Sequence, residues 1–426
     1  MSYPDTYYKR TMTETKARAP LAGTTDCDTV IIGGGLAGLT TALQLARAGQ
    51  KVVVLEAESV GFGASGRNGG FVSPGFATGT TEIARTAGAD AAHKIHLLSI
   101  EGVDFVRDTI RDLSIDDALP QPGITSVLRY DDGPSLKAHA EEMKRSYGYE
   151  LEYLDRDQVR AVLKSKRYYQ GLRDAKAFHI HPLNYLRGLA TEIERLGGTI
   201  HDGSAATGCD LSSAQKRVHT AGGQVTARNV VFTTGGYTGA LDQRLKRAFL
   251  PIATYVMVSE QAPDLIRSAI ATTDAIGDNR RAGDYYRVVD GGTRLLWGGR
   301  ITTRAASAAA LAAELRQEMT GTYPQLAGLK TELAWSGLMS YARHLMPQIG
   351  EMQPGVWHCT AFGGHGLNTT AIGGKLVAEG ILGQSDRYKL FKPFGLVWAG
   401  GMAGLAVAQL TYWKLQAQDW WRERAA

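Results

Sequence analysis

Gly33, Gly35, Gly38 and, roughly 20 residues further on, Glu56 are the residues whose types and spacing carry the clearest chemistry in this chain. Gly33 permits a tight turn, Gly35 lets the backbone come up against a pyrophosphate, and Gly38 lets a helix pack on the preceding strand. A carboxylate at the Glu56 position accepts hydrogen bonds from a ribose hydroxyl. The elements that must hold these residues lie in the same stretch, TVIIGGGLAGLTTALQLARAGQKVVVLE over 29–56. Val30–Ile32 reads as a strand, Leu39–Ala48 as a helix stopped by Gly49, and Val52–Leu55 as a second strand ending at the acid. The helix N-terminus turns its free amides toward an anion. The complete strand–turn–helix–strand–acid unit implies an adenine dinucleotide site.

Three further pieces decide which dinucleotide. Directly after Glu56 comes GFGASGRNGG over 61–70, a second glycine- and amide-rich loop with Ser65, Arg67 and Asn68. A nicotinamide dehydrogenase has little use for it. A flavin dinucleotide lies extended and needs several backbone contacts, and Arg67 suits a phosphate or the flavin itself. VVFTTGGYTGA over 230–240 is a strand running into Thr234-Gly235-Gly236, and CTAFGGHGLNTTAIGGKLVAEGI over 359–381 is a glycine-rich turn feeding a helix. The amides near Asn368 and Thr369 suit the flavin edge that gains negative charge on reduction. The expected cofactor is FAD. Its shell is read as Gly33, Gly35, Leu36, Ala37, Gly38, Glu56, Ala57, Ala64, Ser65, Arg67, Asn68, Gly69, Gly70, Ala206, Thr234, Gly235, Gly236, Gly364, His365, Gly366, Leu367, Asn368 and Thr369.

SGRNGG, HPLNYLRGLA, the TTGG strand end, the late FGGHG turn and the opening SYPDTYYKRT resemble the D-amino-acid-oxidase superfamily of FAD enzymes. The likeness is narrower to the branch containing γ-glutamylputrescine oxidase and related secondary-amine oxidases, and it covers about residues 2 to 420. It implies oxidation of a C–N bond by hydride transfer to flavin, giving an imine that water hydrolyses. It also implies that backbone near Ala205-Ala206-Thr207 meets the adenine. In the sarcosine-oxidase cousins a cysteine tethers the flavin, and Gly337 falls at or near that position. No cysteine lies between 210 and 358 and no histidine between 1 and 92, so the FAD is expected to be non-covalent.

Candidate catalytic residues are His365, Arg287, Tyr286 and Arg343. His365 either faces the ring or substrate or braces its loop. Arg287, beside Tyr286 in a predicted roof sheet, has the planar fork that matches a substrate carboxylate, although arginines in sheets often face solvent. Arg343 and His344 precede Pro347, where many relatives carry an acid. Amine oxidation needs no strong protein base, because the amine lone pair stabilises the developing cation. His179 and His181 read as packing residues, and no metal site is expected.

Composition bounds the rest. The 426 residues suffice for two cores, and 44% hydrophobic with 21% charged content is ordinary for a soluble protein. The net charge of +5 is mild, and nothing suggests nucleic acid. Three scattered cysteines and no apolar leader point to a reducing, cytoplasmic setting.

The fold class expected is α/β, with a Rossmann-like FAD-binding domain interleaved with an α+β substrate domain on an antiparallel sheet. The FAD domain takes 28–100, 171–245 and 336–394, and the substrate domain 101–170 and 246–335. An arm covers 1–27 and an apolar helical tail 395–426. Residues 101–170 read as helical, and Gly291-Gly292 as a hairpin turn. The uncharged run 395–413 just reaches the length of a bilayer span, but its glycines dilute it, and it is expected to pack on the protein or make a peripheral contact with the inner face of a membrane rather than to span it. The partners expected are a small amine or amino acid and an electron acceptor, oxygen or a quinone-type respiratory carrier. Residues 250–329 contain no lysine, whereas many relatives that use oxygen place a lysine near the flavin. The alternatives are a non-catalytic or regulatory FAD-bearing subunit and an NADPH-dependent flavin hydroxylase, for which a second nucleotide unit is missing.

Overall fold

The computed structural model describes residues 3–280, 283–302 and 308–425. Val52–Leu55 consists of four consecutive buried residues, as a parallel strand covered on both faces requires. It pairs in parallel with Gly23–Ile32, which pairs in parallel with Gly223–Phe232. The sheet runs Gln348–Gln353, Val356–Thr360, Gly223–Phe232, Gly23–Ile32, Val52–Leu55, Thr199–His201. Alternation sends side chains to two cores. Ile31, Val52, Val54 and Val231 join the helices on one face, and Val30, Ile32, Val53, Leu55 and Phe232 build the other. Each buried side chain of this size contributes about 1.5–3 kcal/mol.

On the first face the helix Leu36–Arg47 packs against Pro182–Arg195 and Leu367–Ile381. A Cβ on Gly374 would stand 2.6 Å from the Ala37 carbonyl oxygen, so glycine sets how closely the two cofactor-facing helices approach.

The second sheet is mainly antiparallel. Its order is Thr331–Ala342, Phe249–Ser259, Arg294–Thr302, Tyr285–Val289, Ala275–Asp278, Gln121–Val127, Gly171–His179, Phe71–Val72. The expected hairpin is present: Tyr285–Val289 and Arg294–Thr302 pair antiparallel, with Gly291 and Gly292 at φ 63° and 88° in the turn.

Three boundaries differ from those read in the sequence. Gly171–His179 and all of Thr331–Ala342 are strands of the roof sheet, not of the nucleotide-binding unit. The helix Ala89–Asp112 joins the core under the nucleotide sheet through Ile95, Leu98, Val103, Val106 and Ile110. Its packing is close, since a Cβ on Gly102 would meet the Asn368 carbonyl oxygen at 2.6 Å. Within the stretch read as helical, Gln121–Val127 and Glu152–Leu154 are strands. Their cross-strand partners lie 44 residues or more away in sequence for Gln121–Val127 and 17 to 21 for Glu152–Leu154, outside what local periodicity reports.

The chain closes with the helix Gly401–Ala425. Among the described residues, no helix is long and apolar enough to cross a membrane.

Candidate active site

The strand Gly23–Ile32 ends in Gly33, whose φ of 117° is closed to other residues and whose missing Cβ would stand 2.8 Å from the Thr233 carbonyl oxygen. Gly35 caps the next helix in extended backbone. The Leu36 amide donates to Ser65 Oγ at 3.1 Å, which joins the first phosphate-binding turn to the second loop. Glu56 accepts from the Gly34 amide at 2.6 Å and the Glu58 amide at 3.0 Å. Burial pushes its carboxyl up to about 7. A buried carboxylate whose remaining lone pairs face a cavity matches a ribose diol.

The loop over 61–70 is held from every side. Asn68 Nδ2 donates to the Ala64 and Ser65 carbonyls at 3.1 and 2.7 Å, and its Oδ1 accepts from Gly70 N at 2.8 Å. Arg67 donates to Tyr237 Oη at 2.7 Å. Trp335 Nε1 donates to the Arg67 carbonyl at 2.9 Å. The N-terminal arm adds Tyr8, whose hydroxyl donates to the Asn68 carbonyl at 2.7 Å, and Tyr3, which reaches the Gly61 and Gly66 carbonyls at 3.2 Å each.

At the far end, Ala361, Gly363 and Gly364 take φ of 63°, 62° and 81° to turn the chain into the helix Leu367–Ile381. Its N-terminal amides open on the cavity beside His365. Asn368 Nδ2 donates to the Ser99 carbonyl at 2.9 Å, and Thr369 Oγ1 donates to the His365 carbonyl. His365 Nε2 lies 3.1 Å from the Pro74 carbonyl and 3.3 Å from that of Ser73. Both partners are acceptors, so Nε2 carries the hydrogen. Burial holds the ring below the ordinary histidine range. It is a neutral brace between two loops.

These parts enclose one cavity of about 1060 Å³, from the Glu56 and Ala206 end to a chamber under the roof. Of the residues read from the sequence, Gly33, Gly35, Leu36, Ala37, Glu56, Ala57, Ala64, Ser65, Arg67, Asn68, Gly69, Ala206, Thr234, Gly235, Gly236, Gly364, His365, Gly366, Leu367 and Asn368 line it. Gly38, Gly70 and Thr369 stand behind the wall. A Cβ on Gly38 would be 2.1 Å from the Gly33 carbonyl oxygen, and one on Gly70 2.3 Å from that of Ile180.

Three candidate catalytic residues are displaced from the expected place. Tyr286 points to the other face of its strand, stacked on Trp297 with centroids 4.2 Å apart, and its hydroxyl meets Tyr323 at 2.7 Å and Tyr168 at 3.1 Å. Arg287 is buried and donates to the Gly69 carbonyl (2.7 Å), the Ile180 carbonyl (2.8 Å), His179 Nδ1 (3.0 Å) and Tyr8 Oη (3.1 Å). Its fork clamps the flavin loop to the roof. Arg343 sits exposed in a turn outside the cavity. His179 and His181 are not a metal pair: His179 receives Arg287, and His181 Nδ1 accepts from the Asn184 amide at 3.1 Å as a helix cap.

Sequence reasoning passed over Tyr285, Tyr341, Met339 and Tyr237, all of which line the cavity. Tyr285 is wedged tightly, since a Cβ on Gly298 would be 2.1 Å from its ring and one on Gly69 2.6 Å. Burial pushes its hydroxyl up to about 12 and raises that of Tyr341 as well. Both stay protonated at neutral pH and act as hydrogen-bonding groups. The available signal was strand alternation: Gly337, Met339 and Tyr341 share one face.

The residues present fit FAD. One helix N-terminus, a glycine turn held tight against backbone at Gly33 and Gly38 and the Glu56 carboxylate mark the dinucleotide end, and a second helix N-terminus marks the flavin end. Gly337 lines the cavity without a thiol, and burial raises the Cys359 thiol far above the reactive range.

The profile of the DAO family, described as FAD dependent oxidoreductase, matches residues 28–380. The chain is 33% identical to the gamma-glutamylputrescine oxidoreductase of Escherichia coli over 367 residues, 86% of each protein. It is 31% identical to a probable oxidoreductase of Haemophilus influenzae, over 88% of this chain and 87% of that one. Among solved structures it is similar to glycine oxidase from Geobacillus kaustophilus, with a TM-score of 0.74 at 18% identity, covering 87% of this chain and 98% of that one. An L-amino acid deaminase from Proteus vulgaris gives 0.72 at 19% identity, covering 92% and 98%.

Proposed function

The chain belongs to the DAO family of FAD-dependent oxidoreductases, with non-covalent FAD as its cofactor and amines or amino acids as its substrates, and from that premise we propose that it oxidises a secondary amine or a γ-glutamyl amine. The observation that carries this reading is the chamber beyond the flavin site, walled by Tyr285, Tyr341, Met339, Phe71 and His365. Such a wall desolvates a bound ammonium and favours the neutral amine. The lone pair of that amine then forms the C=N bond as hydride leaves the adjacent carbon. FAD, when bound, supplies the two-electron acceptor.

The protein's part is to orient and to exclude water. Tyr285 and Tyr341 present protonated hydroxyls that position the substrate, His365 stays neutral, and the N-terminus of Leu367–Ile381 supplies positive potential where charge builds up. The imine is hydrolysed by water. The lysine-free stretch 250–329 supports an acceptor other than oxygen, such as a quinone. Three free thiols, Cys27, Cys209 and Cys359, support a cytoplasmic setting.

The test is anaerobic titration of the holoenzyme with γ-glutamylputrescine, sarcosine, pipecolate, proline and D-alanine while following the oxidised-flavin band. Bleaching by γ-glutamylputrescine or a secondary amine is expected, and admitting air then separates oxygen from other acceptors. Bleaching by D-alanine alone, or by NADPH and no amine, overturns the reading.

A further inference from the structure

The C-terminal helix Gly401–Ala425 turns a row of large apolar side chains outward. Its inward row is mixed: Gln409 is buried, and Leu405, Ala408, Tyr412, Leu415, Gln416, Asp419 and Glu423 are half-buried. Glu423 approaches Arg129 at 3.9 Å and Arg280 at 4.0 Å. Its outward row holds Met402 at 84% exposure, Val407 and Leu410 at 61% each, Trp420 at 47% and Trp421 at 67%. At 3.6 residues per turn these five fall within about 140° of the circumference. Trp398, 62% exposed, lies just before the helix. Scattered apolar residues on a surface need no explanation, whereas a contiguous stripe of this kind does.

The charges say what covers the stripe. The exposed charged residues of the helix are Lys414, Arg422 and Arg424, all cations, while both carboxylates, Asp419 and Glu423, are withdrawn toward the protein. Arg424 lies over the Trp420 ring at 3.8 Å. Aliphatic side chains along the middle, tryptophans toward both ends and cations without exposed carboxylates match the boundary between acyl chains and anionic headgroups. No described helix is long and apolar enough to cross a bilayer, and a helix that binds a bilayer without crossing it lies in its surface. We propose that Gly401–Ala425 is an interfacial helix that seats the enzyme on an anionic lipid bilayer.

The experiment is flotation of the holoenzyme with phosphatidylcholine vesicles that contain or lack phosphatidylglycerol. Binding is expected on the anionic vesicles, with a blue-shifted tryptophan emission, and it should weaken in high salt. Replacing Lys414, Arg422 and Arg424 together by Gln should weaken it roughly 100-fold, each cation near an anionic surface counting for about fivefold. The variant M402S/L410S/W421S should abolish it while retaining bound flavin, which reports an intact fold. No flotation under any composition overturns the proposal, as does flotation that the apolar variant leaves unchanged. A doubled mass in solution that the apolar variant reverses would assign the stripe to a second copy of the chain and equally overturn it.

Discussion

Replacing Arg287 by Met separates two roles that the sequence cannot distinguish. As a substrate anchor, the guanidinium would meet a carboxylate, and its loss would be felt through the substrate. In the structure it is 5% exposed and donates four hydrogen bonds, at 2.7, 2.8, 3.0 and 3.1 Å, to groups of the protein itself. Met fills much the same length but leaves the Gly69 and Ile180 carbonyls buried without a donor, at about 1–3 kcal/mol each. Relief of a buried charge that has no carboxylate among these partners offsets part of that cost. The expected loss is about 2–4 kcal/mol in urea unfolding. Gly69 lies in the flavin loop, so FAD affinity falls as well. The ratio of kcat/KM between carboxylate-bearing and carboxylate-free amines should stay within about twofold, since neither substrate meets the guanidinium. Arg287→Lys, which keeps the charge but cannot reach four acceptors, should fall between Met and the native protein. Unchanged stability and flavin content, with a roughly 100-fold selective loss for the carboxylate-bearing amine, would refute the argument.

Two further outcomes follow from the nucleotide end. Gly38→Ala places a methyl 2.1 Å from the Gly33 carbonyl oxygen and 2.7 Å from Thr233 Oγ1, so the helix must shift and purified protein should carry at least about tenfold less FAD per chain; native flavin content would contradict this. Glu56, raised to about 7 by burial, binds a proton in the folded state between pH 4.5 and 7 that the unfolded chain has released. Stability therefore falls as pH rises through that window, by up to about 3 kcal/mol in the apoprotein. Glu56→Gln should flatten this part of the profile, and a native-minus-variant difference in unfolding free energy that is constant from pH 5 to 7 would show that Glu56 does not titrate there.

The cofactor end was legible because glycine spacing encodes a backbone constraint. Gly33 and Gly38 are needed where a Cβ would strike backbone, and that need is written within a few residues. The roof was not. Choosing Tyr286 over Tyr285 is an error of one residue, which in a strand exchanges the two faces completely. Arg287 has the right chemistry for an anion, yet its partners come from residues 8, 69, 179 and 180, which no local pattern joins to it. The arm was recognised only as a resemblance. Its hydroxyl contacts with the flavin loop, some 60 residues away, leave no mark on periodicity.

The parallel pairing of Gly23–Ile32 with Gly223–Phe232 sets a timetable for biosynthesis. At about 5–20 residues per second, the interval between making Gly33 and making Asn368 is roughly 20 to 70 s. For roughly the first 10 to 40 s of it the first strand lacks the neighbour synthesised some 200 residues later, and throughout it the crevice lacks its far wall. The nascent chain thus emerges as an open sheet edge with apolar faces, the state most exposed to aggregation and to chaperone capture. FAD can reward the fold only after the last glycine turn has been made. Cofactor supply therefore acts on this protein late in synthesis or after it, as a selection among chains that are nearly or fully made.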